Sequence, residues 1–255
     1  MTRSVLRLTI VTAAIVILGA GAYGGWYLFL RPSGPSAVSV STLPLPSASP
    51  GGSAAMTPVG SGAVPGASAP AGLDGTWQVD TTIGAFTDFT SSFVGYRVQE
   101  QLAGIGANTA VGRTPDVAGS MSLHGTAVTA ATISANVTTL RSDDSRRDGR
   151  LRDQGLETGR FPTATFVLTK PIDLGSLPAD GATVSVTATG DLTLHGQTRN
   201  VQIALQAKRS GGVIAVTGSL EIAFADYGIS PPTSFLVLSI QDHGTLELQL
   251  LFTHE

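Results

Sequence analysis

The sequence predicts an all-β domain of antiparallel strands, closed into a barrel or packed as a sandwich. An N-terminal membrane span and an uncharged linker precede it. Three observations carry this. Period-two alternation of apolar and polar residues recurs across the second two thirds of the chain. Residues 8 to 30 form an apolar run without one charge. Residues 32 to 73 are uncharged and hold eight of the fourteen prolines. The 255 residues contain no cysteine, which excludes a disulfide scaffold, a thiolate metal site and a Cys nucleophile. A formal net charge of −3 offers no basic footprint, so nucleic acid is not an expected partner.

The first element, residues 1–31, is read as a cytoplasmic N-terminus and transmembrane anchor. Twenty-three residues from Leu8 to Leu30 suffice to cross a hydrocarbon layer of about 30 Å. Arg3 and Arg7 precede the run, Arg31 closes it, and Tyr23, Trp26 and Tyr27 cluster at its far end. That pattern keeps the N-terminus inside and puts the rest of the chain outside the cytoplasm. A cleaved signal peptide is the alternative, with Ala20-Gly21-Ala22 as the cleavage site. The second element, 32–73, is read as a flexible linker, because Pro and Gly deny it regular structure and its scattered Leu and Val make no core.

The third element, 74–255, carries the alternation. Inward rows are Val94, Tyr96 and Val98; Ile133, Ala135 and Val137; Val184, Val186, Ala188 and Gly190; Val201, Ile203, Leu205 and Ala207; and Leu246, Leu248, Leu250 and Phe252. Turn residues punctuate them at Pro178-Ala179-Asp180-Gly181, His195-Gly196, Ser210-Gly211-Gly212 and Asp242-His243-Gly244. One stretch differs. Between Arg141 and Arg160, eleven of twenty residues are charged. It reads as a short, solvated helical crossover, with Ser142 as its cap and Gly155 as its stop.

Chemistry is sparse. The four histidines, His124, His195, His243 and His254, share no metal spacing, and there is no nucleophile elbow or phosphate loop. The sequence points to no cofactor, metal or catalytic residue.

Several stretches together do carry a resemblance. Trp77-Gln78-Val79-Asp80 opens the domain, Phe161-Pro162-Thr163-Ala164-Thr165-Phe166 lies midway, and Gly190-Asp191-Leu192-Thr193-Leu194-His195-Gly196 follows, then Asp226-Tyr227-Gly228-Ile229. This succession, over about residues 75 to 253, resembles the YceI-like family of polyisoprenoid- or lipid-binding proteins. The resemblance implies an extended, lipocalin-like antiparallel barrel, exported and non-enzymatic, whose apolar tunnel holds an isoprenoid-type chain such as a polyprenyl phosphate or a quinone tail. The tunnel lining it implies is Val94, Tyr96, Val98, Ile133, Val137, Phe166, Leu168, Leu192, Leu194, Ile203, Leu205, Leu248 and Leu250. Arg97, Arg113 and the Arg146 to Arg152 cluster are the candidates for contacting a polar head. The expected partners are thus a long-chain amphipathic lipid and the membrane, with a homodimer left open. A non-binding structural module of the envelope is the competing reading.

Overall fold

The computed structural model describes residues 34–43, 73–232 and 237–255. The expected membrane span, and residues 44–72 of the linker, lie outside the described residues. No helix among the described residues is long and apolar enough to cross a membrane.

Twelve strands are described. They are β1 (Gly75–Val79), β2 (Phe93–Leu102), β3 (Gly106–Thr114), β4 (Val117–His124), β5 (Ala127–Asn136), β6 (Thr163–Leu168), β7 (Ile172–Asp173), β8 (Thr183–Leu194), β9 (Gln197–Ser210), β10 (Val213–Ala223), β11 (Val237–Ile240) and β12 (His243–His254). Every pairing is antiparallel. The order β1-β4-β5-β6-β8-β9-β10-β12 closes on itself where β12 also pairs with β1, Trp77 opposite His254. Among the described residues this ring has eight strands, so the sequence alternatives resolve to a barrel. β2 takes the same edge of β12 as β1 but higher, Tyr96 facing Leu246, and β3 pairs outside β2. β1 and β2 are therefore one interrupted strand with an excursion over residues 80–92.

Local chemistry explains the connections. β8 and β9 join through His195 and Gly196, both at positive φ (51° and 72°), the geometry of a two-residue hairpin matched to strand twist. β9 and β10 join through Gly211 and Gly212, with the Gly211 N–H donating to Asp180. Gly104 lies in the β2–β3 turn at φ 76°. At Asp242-His243-Gly244 the chain does not turn back as expected. Gly244 already pairs within β12, and β11 runs on into β12 past a bend, both strands pairing with β2.

The crossover follows β5. Helix α1 (Ser145–Arg150) widens into a π-helical turn over Leu151–Gly155. Its cap is Asp144, not Ser142: the Asp144 carboxylate accepts from the Arg146 N–H at 2.8 Å. Ser142 instead donates its hydroxyl to Asp148 at 2.6 Å. Nor is the segment wholly solvated. Asp148 and Leu156 are buried, and Arg147 turns in to meet Glu100. His195 clasps it from the far side, its ring 2.9 Å from both the Tyr227 carbonyl and the Glu157 carboxylate.

Packing divides into three. A lower cluster inside the barrel joins Trp77, Met121, Leu123, Ile214, Leu250 and Phe252. An upper cluster, under the crossover, joins Val137, Leu140, Leu156, Leu192, Leu194 and Tyr227. The third is outside the barrel: Val40 packs on Val213, Ala215 and Leu251. This corrects the linker reading at residues 34–43. A 3-10 turn at Val40–Thr42 seats Val40 at 1% exposure, so this part of the segment is held on the domain.

Candidate functional site: an apolar cavity inside the barrel

Strand alternation turns one row of each strand inward, and the rows do not fill the space they enclose. A cavity of about 350 Å³ remains. Small inward residues help to leave it open. Ala188 and Ala207 line the wall, and Gly190 and Gly218 contribute no side chain to it. A Cβ on Gly190 would collide with the Phe166 ring and the Val167 carbonyl. The wall is almost entirely aliphatic and aromatic carbon, an environment that stays dry unless an apolar guest fills it.

All thirteen residues named from the sequence line this cavity. Val94, Tyr96 and Val98 come from β2; Ile133 from β5; Val137 from the turn after it; Phe166 and Leu168 from β6. Leu192 and Leu194 come from β8, Ile203 and Leu205 from β9, Leu248 and Leu250 from β12. The sequence reading missed the wall supplied by β10, Ile214, Val216, Leu220 and Ile222, and the upper cover formed by Leu151, Leu156, Ile229, Pro231 and Pro232. The first group was legible, because Ile214 and Val216 lie two apart in a β run. The second was not, because loop residues have no period.

Polar groups sit at the two ends. At the upper end Arg147 Nη2 donates to Glu100 Oε1 at 2.8 Å, and Asn108 donates to the same oxygen at 2.7 Å. Arg147 also pairs with Asp143. Tyr96 lies across Gly112, its cross-strand partner, where any side chain would strike the ring. Its hydroxyl is buried without a hydrogen-bond partner. Burial, opposed by Arg147, raises the Tyr96 pKa far above the usual phenol value, so the group stays a neutral donor. At the lower end Arg209 lies 3.5 Å from the Asp180 carboxylate, a charge contact in which Nε makes no hydrogen bond.

The candidate head contacts sort cleanly. Arg97 and Arg113 point out of the barrel, to Glu247 at 3.0 and 2.7 Å, and are corrected from cavity contacts to outer-face ones. Of the cluster at 146 to 152, only Arg147 and Leu151 line the cavity. His195 sits in the β8–β9 turn, and no group of three His, Asp or Glu among the described residues is placed to hold a metal.

A closed eight-stranded antiparallel barrel around an apolar cavity defines a class, the internal-cavity barrels. Within it the chain belongs to the YceI-like family: the family profile, a YceI-like domain, matches residues 77–252. A UPF0312 protein of Shewanella denitrificans is 30% identical over 141 residues, covering 52% of this chain and 70% of that one. A UPF0312 protein of Vibrio parahaemolyticus is 29% identical over 119 residues, covering 43% of this chain and 59% of its own length. Among solved structures, a polyisoprenoid binding domain from Saccharophagus degradans superposes with a TM-score of 0.56 at 21% identity, covering 71% of this chain and 99% of that one. Burkholderia cenocepacia BcnA gives 0.50 at 18%, covering 68% and 98%. These two likenesses establish the fold.

Proposed function

We propose that the protein is a membrane-tethered, extracytoplasmic binding protein for an isoprenoid-type lipid, and that the cavity takes the lipid's chain. The observation that carries this is the wall itself. Residues from β2, β5, β6, β8, β9, β10 and β12 present a continuous carbon surface that other side chains do not fill. Each 100 Å² of ligand apolar surface buried there contributes about 2.5 kcal/mol. The domain from Saccharophagus degradans is described as polyisoprenoid binding, which supports the same chemistry here. The apolar run at 8–30 supports the tether and the export.

The role proposed is carriage or sequestration, not catalysis. The upper end suits a head with a neutral acceptor oxygen, an alcohol or a quinone carbonyl. The unpartnered Tyr96 hydroxyl can donate to it, while Glu100, Asp143 and Asp148 near that hydroxyl outnumber Arg147.

The test is displacement of a fluorescent polyene probe from the purified full chain. Polyprenol and a long-tailed quinone should displace it at low micromolar concentration. A protein that neither takes up the probe nor responds to these lipids would refute the reading.

A further inference from the structure

The described part of the N-terminal segment fixes where the chain upstream leaves the barrel. Gly34 lies against Val111 of β3, the Arg97 guanidinium donates to the Pro35 carbonyl, and Arg113 Nη2 donates to the Ser36 carbonyl at 2.7 Å. From there the segment descends the outer face to Val40, wedged on Val213, Ala215 and Leu251. Residue 34 is therefore at the upper end of the barrel, where β2 and β3 rise. Four peptide steps separate it from Leu30, the end of the apolar run, a reach of at most about 14 Å. As a free coil the whole linker would span roughly 35 Å and leave every orientation open.

A second observation falls on the same end. Ile105 in the β2–β3 turn is 36% exposed and Leu238 on β11 is 65% exposed. β11 pairs with the tip of β2, Val237 opposite Leu102, so both apolar side chains sit on one rim. The Arg147–Glu100 pair and Pro231 and Pro232 close the cavity at this end.

We propose that residues 34–43 act as a strap that docks the upper rim of the barrel on the bilayer surface. Ile105 and Leu238 then touch the lipid, and the covered upper end of the cavity faces it. This rests on reading residues 8–30 as inserted in that bilayer. The strap shortens a 42-residue tether to four peptide steps and sets one orientation, the one in which a lipid passes between membrane and cavity without crossing water.

The absence of cysteine makes the test clean. The full chain is reconstituted into phosphatidylcholine vesicles carrying a headgroup-labelled acceptor dye. Donor dyes are placed singly through Ala107→Cys at the upper end and Ser176→Cys at the lower end, both exposed. The ends of a fourteen-residue tilted strand lie about 35 Å apart. Transfer from the upper site should exceed that from the lower severalfold. Val40→Asp should collapse the difference, and the exposed pair Ile105→Glu with Leu238→Glu, which leaves the fold untouched, should reduce it. Equal transfer from both sites on vesicle-bound protein overturns the docking while leaving the ligand reading intact. A difference that survives all the substitutions overturns the strap's part. Protein that does not float with vesicles overturns the membrane insertion on which the proposal rests.

Discussion

Glu247 Oε1 lies 2.7 Å from Arg113 Nε on the outer face of the barrel, with 1% and 4% of the two side chains exposed. An ion pair this dry is unusual on the outside of a barrel. It is dry because two coverings meet over it, the strap at 34–43 and the excursion at 80–92. Phe89 and Phe93 place their rings 4.4 Å from the Arg113 guanidinium. One carboxylate serves two guanidiniums, and the surplus donors go to the carbonyls of Pro35 and Ser36.

Glu247→Ala should therefore be among the most destabilising substitutions in the domain. It leaves two arginines facing each other under cover, which costs about 3–5 kcal/mol. Thermal unfolding should fall by roughly 10 °C. A fall of a degree or two would mean that the face is wetter than described.

Tyr96→Phe should separate binding from stability. Without ligand the buried hydroxyl has no partner, so its removal should raise stability by about 1 kcal/mol. With a quinone or alcohol head bound, the same change should weaken affinity by about threefold to tenfold. Paired denaturation and displacement curves check both signs. Loss of stability on removing the hydroxyl would show that it is already satisfied.

Gly190→Val should destabilise by about 1–3 kcal/mol, since the new carbons meet the Phe166 ring and an immovable backbone carbonyl across β6. Urea midpoints decide it. A neutral result would mean that β6 can move off β8.

Asp80 gives a pH signature. The Thr82 hydroxyl donates to its carboxylate at 2.6 Å and the Thr82 N–H at 2.7 Å. The hydroxyl contact is the larger cause, and the carboxyl is held below its ordinary value. A depressed folded value means that stability is fully present above the unfolded pKa, near 3.9, and is lost as pH falls through the folded one. The stability difference between the protein and Asp80→Asn should thus be largest above about pH 5 and shrink toward pH 2. A difference unchanged over that range would remove Asp80 from the account.

Most of the barrel was legible because a pleated strand writes its buried face at every second residue. Val94, Tyr96 and Val98, or Leu246, Leu248 and Leu250, name the same wall in the sequence and in the structure. What the alternation cannot reveal is whether the other row is in water. Glu247 stands at an outward position and reads as solvated, yet it is sealed. The hint lay in neighbouring outward residues. Val213, Ala215 and Leu251 are apolar on that face and call for a cover, but the cover is one valine in a Ser- and Pro-rich stretch with no period. Arg97 was legible as outward, since it stands between the inward Tyr96 and Val98, whereas Arg113 lies in β3, whose sequence carries no alternation to place it. Arg147 and Leu151 reach the cavity from a helix whose charge run reads as an exposed face, because a solvated arginine and one turned inward to a distant Glu100 look alike until the fold joins them.

The central claim is that the cavity holds lipid. Native mass spectrometry of the full chain, beside Ala188→Phe, tests it most directly. Ala188 is 2% exposed and lines the cavity wall, so phenylalanine there fills space that a ligand would use. The account predicts a near-stoichiometric adduct on the unaltered protein, released in organic solvent as a long apolar chain with a small polar head, and little adduct on the folded variant. An empty unaltered protein that remains empty after incubation with polyprenol and quinone, or equal adduct on both proteins, would contradict it.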